Sequence, residues 1–262
     1  MPNTFAEDDY PVKSVGRALE LLEAVASVGE NGMSLTELAT AIGMAKSSTS
    51  AAARTLAMFG LLHVEQPGPR YHLGFALLRF GDLVSQQTSM AKIVLPYLHE
   101  ITERTGLTAR YDVNDDGYPV FIERVDGRGA VRFHAPLGQR EQPHATAAGK
   151  VILASMNAAD VDRVLVATGL PRHTSSTITT REEFAIELDR VRLMGFAIDN
   201  EEESEGILCV GAPIFDHHRS CAGALSVTGL KADLSDGAVG ELGSVVRDFA
   251  NRISTIMSGG RP

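Results

Sequence analysis

With 262 residues the chain has room for one or two domains of roughly 150 residues each, and 44% hydrophobic with 22% charged residues excludes a disordered chain. No apolar run approaches the roughly 20 residues of a membrane span, and two cysteines, Cys209 and Cys221, are too few for a disulfide framework or a multi-cysteine metal site. The formal net charge of -9 taken alone argues against nucleic acid as a partner.

That charge is unevenly placed. Residues 1–11, MPNTFAEDDYP, read as a disordered acidic tail without the zones of a secretory signal, so the chain is expected in the cytoplasm and away from membranes. Between Val12 and Phe80, six bases (Lys13, Arg17, Lys46, Arg54, Arg70, Arg79) face five acids (Glu20, Glu23, Glu30, Glu37, Glu65), a balance of +1. Val15, Leu19, Leu22 and Ala26 recur at helical spacing up to a turn at Glu30-Asn31-Gly32. Ser34 and Glu37 have the spacing of a capping box, opening a short helix lined by Leu35, Leu38, Ala39 and Ile42 and stopped by Gly43. After three residues a third helix runs from Lys46 to about Phe59, with Thr49, Ala52, Ala53 and Leu56 inward. Leu62 and Val64, then Tyr71 and Leu73, flank a turn at 65–70 and predict a hairpin.

Residues 12–74 therefore predict a winged helix-turn-helix domain, a pattern that any small helical module with a hairpin could also produce. As a DNA reader it would send the amino-terminal end of its third helix into the major groove. Lys46, Ser47, Ser48, Ser50 and Arg54 are then the exposed candidates for DNA contact, and Arg70 at the hairpin could reach the neighbouring backbone. Each is equally explained as a solvated surface residue. So few bases give one copy a weak grip, because phosphate neutralisation supplies much of the affinity, and a dimer is implied.

Phe75, Leu78, Phe80 and Leu83 predict a linker helix over 75–90, with a boundary near residue 84, whose apolar residues suit either a core or an inter-subunit seam. From residue 91 the pattern is mixed. Strand-like runs at 107–112, 120–125, 131–135, 196–199, 207–215 and 222–228 alternate with helices at 145–156, 160–166, 181–194 and a last one carrying Leu242 to Ile256. This predicts an α+β domain over 91–262 with a largely antiparallel sheet.

Four ordered blocks carry a resemblance to the IclR family of bacterial transcriptional regulators: VKSVGRALELLEAV from Val12, SLTELATAIGMAKSST from Ser34, PHATAAGKVIL from Pro143, and GFAIDNEEESEGILCVGAPIFD from Gly195, followed by GALSVTG from Gly223. The resemblance implies a winged helix-turn-helix domain joined to a GAF-like effector-binding domain, usually in homodimers or homotetramers. It implies operator DNA with pseudo-palindromic half-sites and a small organic or aromatic acid as partners, in control of a catabolic operon, often by repression. It places a carboxylate at Ala147 and Ala148, where a helix begins. Asp199, Cys209, Ser226 and Thr228 match the polar pocket positions, and Ala130, Phe133, Ile207 and Gly211 match its wall. Read without the resemblance, Cys209 is equally a core thiol, Ser226 and Thr228 a cross-strand pair, and the acidic run 199–203 a solvated loop.

No cofactor is expected. Metal has been considered, since family members can carry one near the acidic run, but the eight histidines show no ligand spacing, and no required metal is expected. An enzyme, for example a small-acid hydrolase using Cys209, lacks any local nucleophile signature. Gly149-Lys150 lacks the upstream glycine of a phosphate loop. A protein-docking module with a degenerate reading head remains the other alternative.

Overall fold

The computed structural model describes residues 10–87, 89–129 and 136–259. They fall into two compact units that divide between residues 88 and 89. The acidic tail (except Tyr10 and Pro11), Ala130, Phe133 and the strand expected over 131–135 lie outside the described residues.

In the first unit α1 (Lys13–Ser27) lays Leu21 and Val25 against α2 (Leu35–Ala41) and α3 (Lys46–Met58). The expected capping box forms: the Ser34 hydroxyl accepts from the Glu37 amide at 3.3 Å and the Glu37 carboxylate accepts from the Ser34 amide at 2.7 Å. Strands β1 (Met33–Ser34), β2 (Leu62–Glu65) and β3 (Arg70–Leu73) form an antiparallel sheet in the order β1-β3-β2, pairing Leu62 with Leu73 and Val64 with Tyr71. Leu38, Ile42, Ala53, Leu56, Leu62 and Tyr71 complete one core, whereas Leu73, expected beside Tyr71, is exposed. Helix α4 (Ala76–Gln87) follows.

The second unit is built on a five-stranded antiparallel sheet in the order β5-β4-β8-β7-β6, from β4 (Thr108–Asp115), β5 (Tyr118–Val125), β6 (Ala197–Asn200), β7 (Ile207–Phe215) and β8 (Cys221–Leu230). Its two faces differ chemically because side chains alternate along each strand. Ala109, Tyr111, Leu208, Val210, Ala212, Leu225 and Val227 point to one side and pack on α5 (Ser89–Thr105) and α9 (Asp236–Met257). On the other side lies α6 (Ala147–Ala154), backed by α7 (Ala158–Thr168) and α8 (Arg181–Met194) through Val151, Leu153, Val164, Phe184 and Leu188. The sheet is thus sandwiched between two helical layers.

Seating α6 requires small residues. A Cβ at Gly149 would stand 2.3 Å from the Pro143 carbonyl oxygen and 2.4 Å from its Cα, and one at Gly211 on β7 would come within 3.1 Å of the Ala147 carbonyl carbon. Gly149→Ala is therefore expected to lower unfolding free energy by about 1–3 kcal/mol through overpacking against backbone, measured by urea denaturation. A change below a few tenths would show that α6 is not held this closely.

Candidate functional site

Helix α3 buries Thr49, Ala53 and Leu56 and turns Lys46, Ser47, Ser48 and Arg54 to solvent, with Ser50 half-buried. Its N-cap, Ala45, supplies no side-chain acceptor, so the first-turn amides are open to an outside anion. Arg70 keeps part of its side chain exposed, and its guanidinium is tied to the turn before α2: Nε donates to the Asn31 carbonyl at 2.7 Å, Nη2 to the Gly32 carbonyl at 2.8 Å, and Glu37 stands 3.6 Å away. Pairing of β3 with β1 sets Arg70 opposite Ser34, and the arginine closes the sheet onto the turn before α2.

In the second unit the strand registers bring the expected pocket residues together on the polar face of the sheet. One row across it reads Asp199, Cys209, Thr228, Thr108, and the next reads Ala197, Gly211, Ser226, Arg110. The start of α6 packs on this face, with Gly211 against Ala147. The Thr146 hydroxyl caps α6 by accepting from the Gly149 amide at 3.1 Å, while the first-turn amides of Ala147 and Ala148 have no acceptor within the helix. Asp199, Ser226 and Thr228 are buried, and Ile207 and Cys209 keep part of their surface accessible.

Asp199 holds the loop that follows it. Its Oδ1 accepts from the amides of Glu202 at 2.8 Å and Glu203 at 3.2 Å. Burial pushes its carboxyl up to about 6 despite those bonds. Cys209 Sγ lies 3.2 Å from Thr228 Oγ1, and burial pushes the thiol up, the opposite of what a nucleophile needs. The acidic run is not the solvated loop that its composition suggests. Glu202 is buried against the ammonium of Lys150, which is itself fully buried, donates to the Ile198 carbonyl at 2.8 Å and stands 3.3 Å from Glu187. Lys150 is thus a structural cation and no phosphate ligand.

Sequence reasoning missed the charged part of this face. Arg110 and Asp112 follow Thr108 on alternate residues of β4, and that two-residue period of polar side chains was the available signal. The Arg110 guanidinium pairs with Glu141, lies 3.7 Å from Asp112 and stacks 4.3 Å from the centre of the Phe121 ring. Among the described residues no group of three or more His, Cys, Asp or Glu is arranged to hold a metal, and no helix is long and apolar enough to cross a membrane. Two open grooves, of about 580 and 420 Å³, lie elsewhere, beside Phe215 and Ser254 and beside Tyr111 and Met257.

Comparison with known proteins decides the class. The pattern described as "IclR helix-turn-helix domain" matches residues 14–66 and "Bacterial transcriptional regulator IclR C-terminal" matches residues 83–255. The chain belongs to the IclR family. It is 31% identical to the transcriptional repressor IclR of Escherichia coli over 95% of this chain and 92% of that one. The crystal structure of Thermotoga maritima IclR superposes with a TM-score of 0.76 at 29% identity, covering 94% and 98% of the two chains. An IclR homolog of Microbacterium hydrocarbonoxydans, crystallised with 4-hydroxybenzoate, shares the fold at a TM-score of 0.78 and 19% identity, covering 94% and 100%. This IclR-family chain is a helix-turn-helix transcriptional regulator and not an enzyme.

The electrostatics of the polar face generate a pH dependence. Burial, with Glu141 nearby, pushes the Glu203 carboxyl from 4.5 to about 7. The folded state therefore holds a proton that the unfolded chain has lost over this range, and the stability it contributes is present below pH 4.5 and disappears as pH rises through about 7. The wild type, relative to Glu203→Gln, is expected to lose stability between pH 4.5 and 7. Parallel unfolding curves for the two proteins across that range would refute the assignment.

Proposed function

We propose that this regulator senses a small organic or aromatic acid and controls a catabolic operon accordingly, binding pseudo-palindromic operator half-sites as a homodimer or tetramer. The observation that carries the reading is the start of α6 seated on the polar face of the sheet. Two uncommitted amides at a helix amino terminus suit a carboxylate, and Asp199, Cys209, Ser226 and Thr228 surround it with hydrogen-bonding groups. The 4-hydroxybenzoate bound by the Microbacterium homolog supports an acid of this kind.

Dimer formation is supported by the exposed apolar residues of α4, with Phe75 at its start 82% and Leu78 70% accessible, more than a lone surface helix requires. In this reading the effector biases the pairing of the α4 helices and so the spacing of two α3 helices against operator half-sites. A coupling of about 1–3 kcal/mol gives a 5- to 150-fold change in operator affinity.

Two measurements test the proposal. Arg54→Ala is expected to weaken operator binding and reduce its dependence on salt by about one phosphate contact, with acid affinity unchanged. Equal loss of both would make Arg54 a structural residue. A melting screen with keto acids, hydroxy acids and hydroxybenzoates should find a stabiliser, since a ligand at 100 times its Kd adds about 2.7 kcal/mol. A screen in which no acid stabilises the protein or alters its DNA binding would sink the acid-sensing reading.

A further inference from the structure

The acid-binding reading uses α6 and the neutral part of the polar face, and it leaves a charged corner unexplained. On β4, Asp112 shares the face of Arg110 and Ser226, and its side chain is 1% exposed. Neither of its carboxylate oxygens has a hydrogen-bond partner among the described residues. The Glu203 Oε2, the Gln142 Oε1 and the Arg110 Nε are likewise buried and unsatisfied. Buried polar atoms are nearly always paired, with protein or with something bound, and the orphans of Asp112, Arg110 and Glu203, which interact electrostatically through Arg110, mark a place for a missing partner.

The signs of the charges say what that partner is. Asp112, Glu141 and Glu203 are three carboxyl groups around one guanidinium, that of Arg110, which is already paired with Glu141. Among the described residues, Arg110 is the one cation whose charge acts on Asp112 and Glu203. Lys150 is held by Glu202 and Glu187, Arg140 by Asp115, and Arg190 by Glu187. The His173 Nε2 stands 3.8 Å from Glu203, beyond hydrogen-bonding distance. A plain carboxylate placed here would bring no donor to these acceptors, whereas a group with several N–H donors and a positive charge would satisfy them and favour their ionised form.

Resting on the acid-sensing reading, we propose that the effector is zwitterionic: a carboxylic acid that also bears an ammonium or guanidinium group, with its carboxylate at the first turn of α6 and its cationic end against Asp112 and Glu203. In the unliganded protein burial pushes the carboxyls of both residues up, which lowers the cost of keeping them unpaired until the cation arrives.

The test is calorimetric titration of the full chain with matched acids: 4-guanidinobutanoate and pentanoate, and 4-(aminomethyl)benzoate and 4-methylbenzoate. In at least one pair the zwitterion is expected to bind about 10- to 100-fold more tightly, the worth of one or two charge-assisted hydrogen bonds. Asp112→Asn and, independently, Glu203→Gln should bring the two members of that pair to within a few-fold. The second variant lies in a loop and guards against misfolding of the first. Neutral acids that bind as well as their zwitterions overturn the inference and leave acid sensing intact. Binding by no member of either pair overturns it too, and acid sensing is then judged by the separate melting screen of keto acids and hydroxybenzoates. A preference that survives both substitutions places the cation elsewhere and overturns the assignment to Asp112 and Glu203.

Discussion

A single buried ammonium holds the effector unit together. Lys150 lies inside α6 with no surface exposed, and it binds Glu202 in the loop after β6, the Ile198 carbonyl on β6 and Glu187 on α8. An ion taken this far from water is tolerated only when its hydrogen-bonding capacity is met, and losing one partner of such a pair typically costs about 3–5 kcal/mol. The loop bearing Asp199 and Glu203 therefore cannot move independently of α6. That constraint fixes the acidic loop over the polar face of the sheet and sets the distance between the helix amino terminus and the carboxylates.

The two sides of the sheet divide the work. The face on α5 and α9 is apolar at its centre, from Tyr111 to Val227, apart from the buried Tyr111 hydroxyl, and supplies the burial that drives folding. The opposite face carries Thr108, Arg110, Asp112, Ser226 and Thr228 under α6. Polar groups there contribute little to stability and several stay unsatisfied. The apolar side can bear that cost because its core is continuous with two long helices.

Much of the architecture was legible in the sequence because its signals are local. The capping box of α2, the short turn before α3 and the hairpin each involve residues within a few positions of one another, and each formed as expected apart from the exposed Leu73. The exceptions are long-range. Arg70 was readable only as a turn residue, since its acceptors Asn31 and Gly32 lie 39 and 38 residues away. The acidic run looked solvated because its cation, Lys150, is 52 residues from Glu202. Arg110 and Glu141 meet across 31 residues, so no window of sequence contains the cluster, although the alternate polar residues of β4 carry half of it.

The reading head and the sensing unit meet opposite electrostatic demands within one chain. A DNA-binding surface gains from surplus positive charge, yet residues 12–80 carry a balance of only +1, with Lys46 and Arg54 exposed on α3. Weak single contacts suit a regulator. A protein that bound each half-site tightly would need a large conformational penalty to release it, whereas two weak heads held at a set spacing can be disengaged by a change in that spacing worth only a few kcal/mol. The acidity excluded from the head is then carried by the second unit, where part of it is buried beside Arg110.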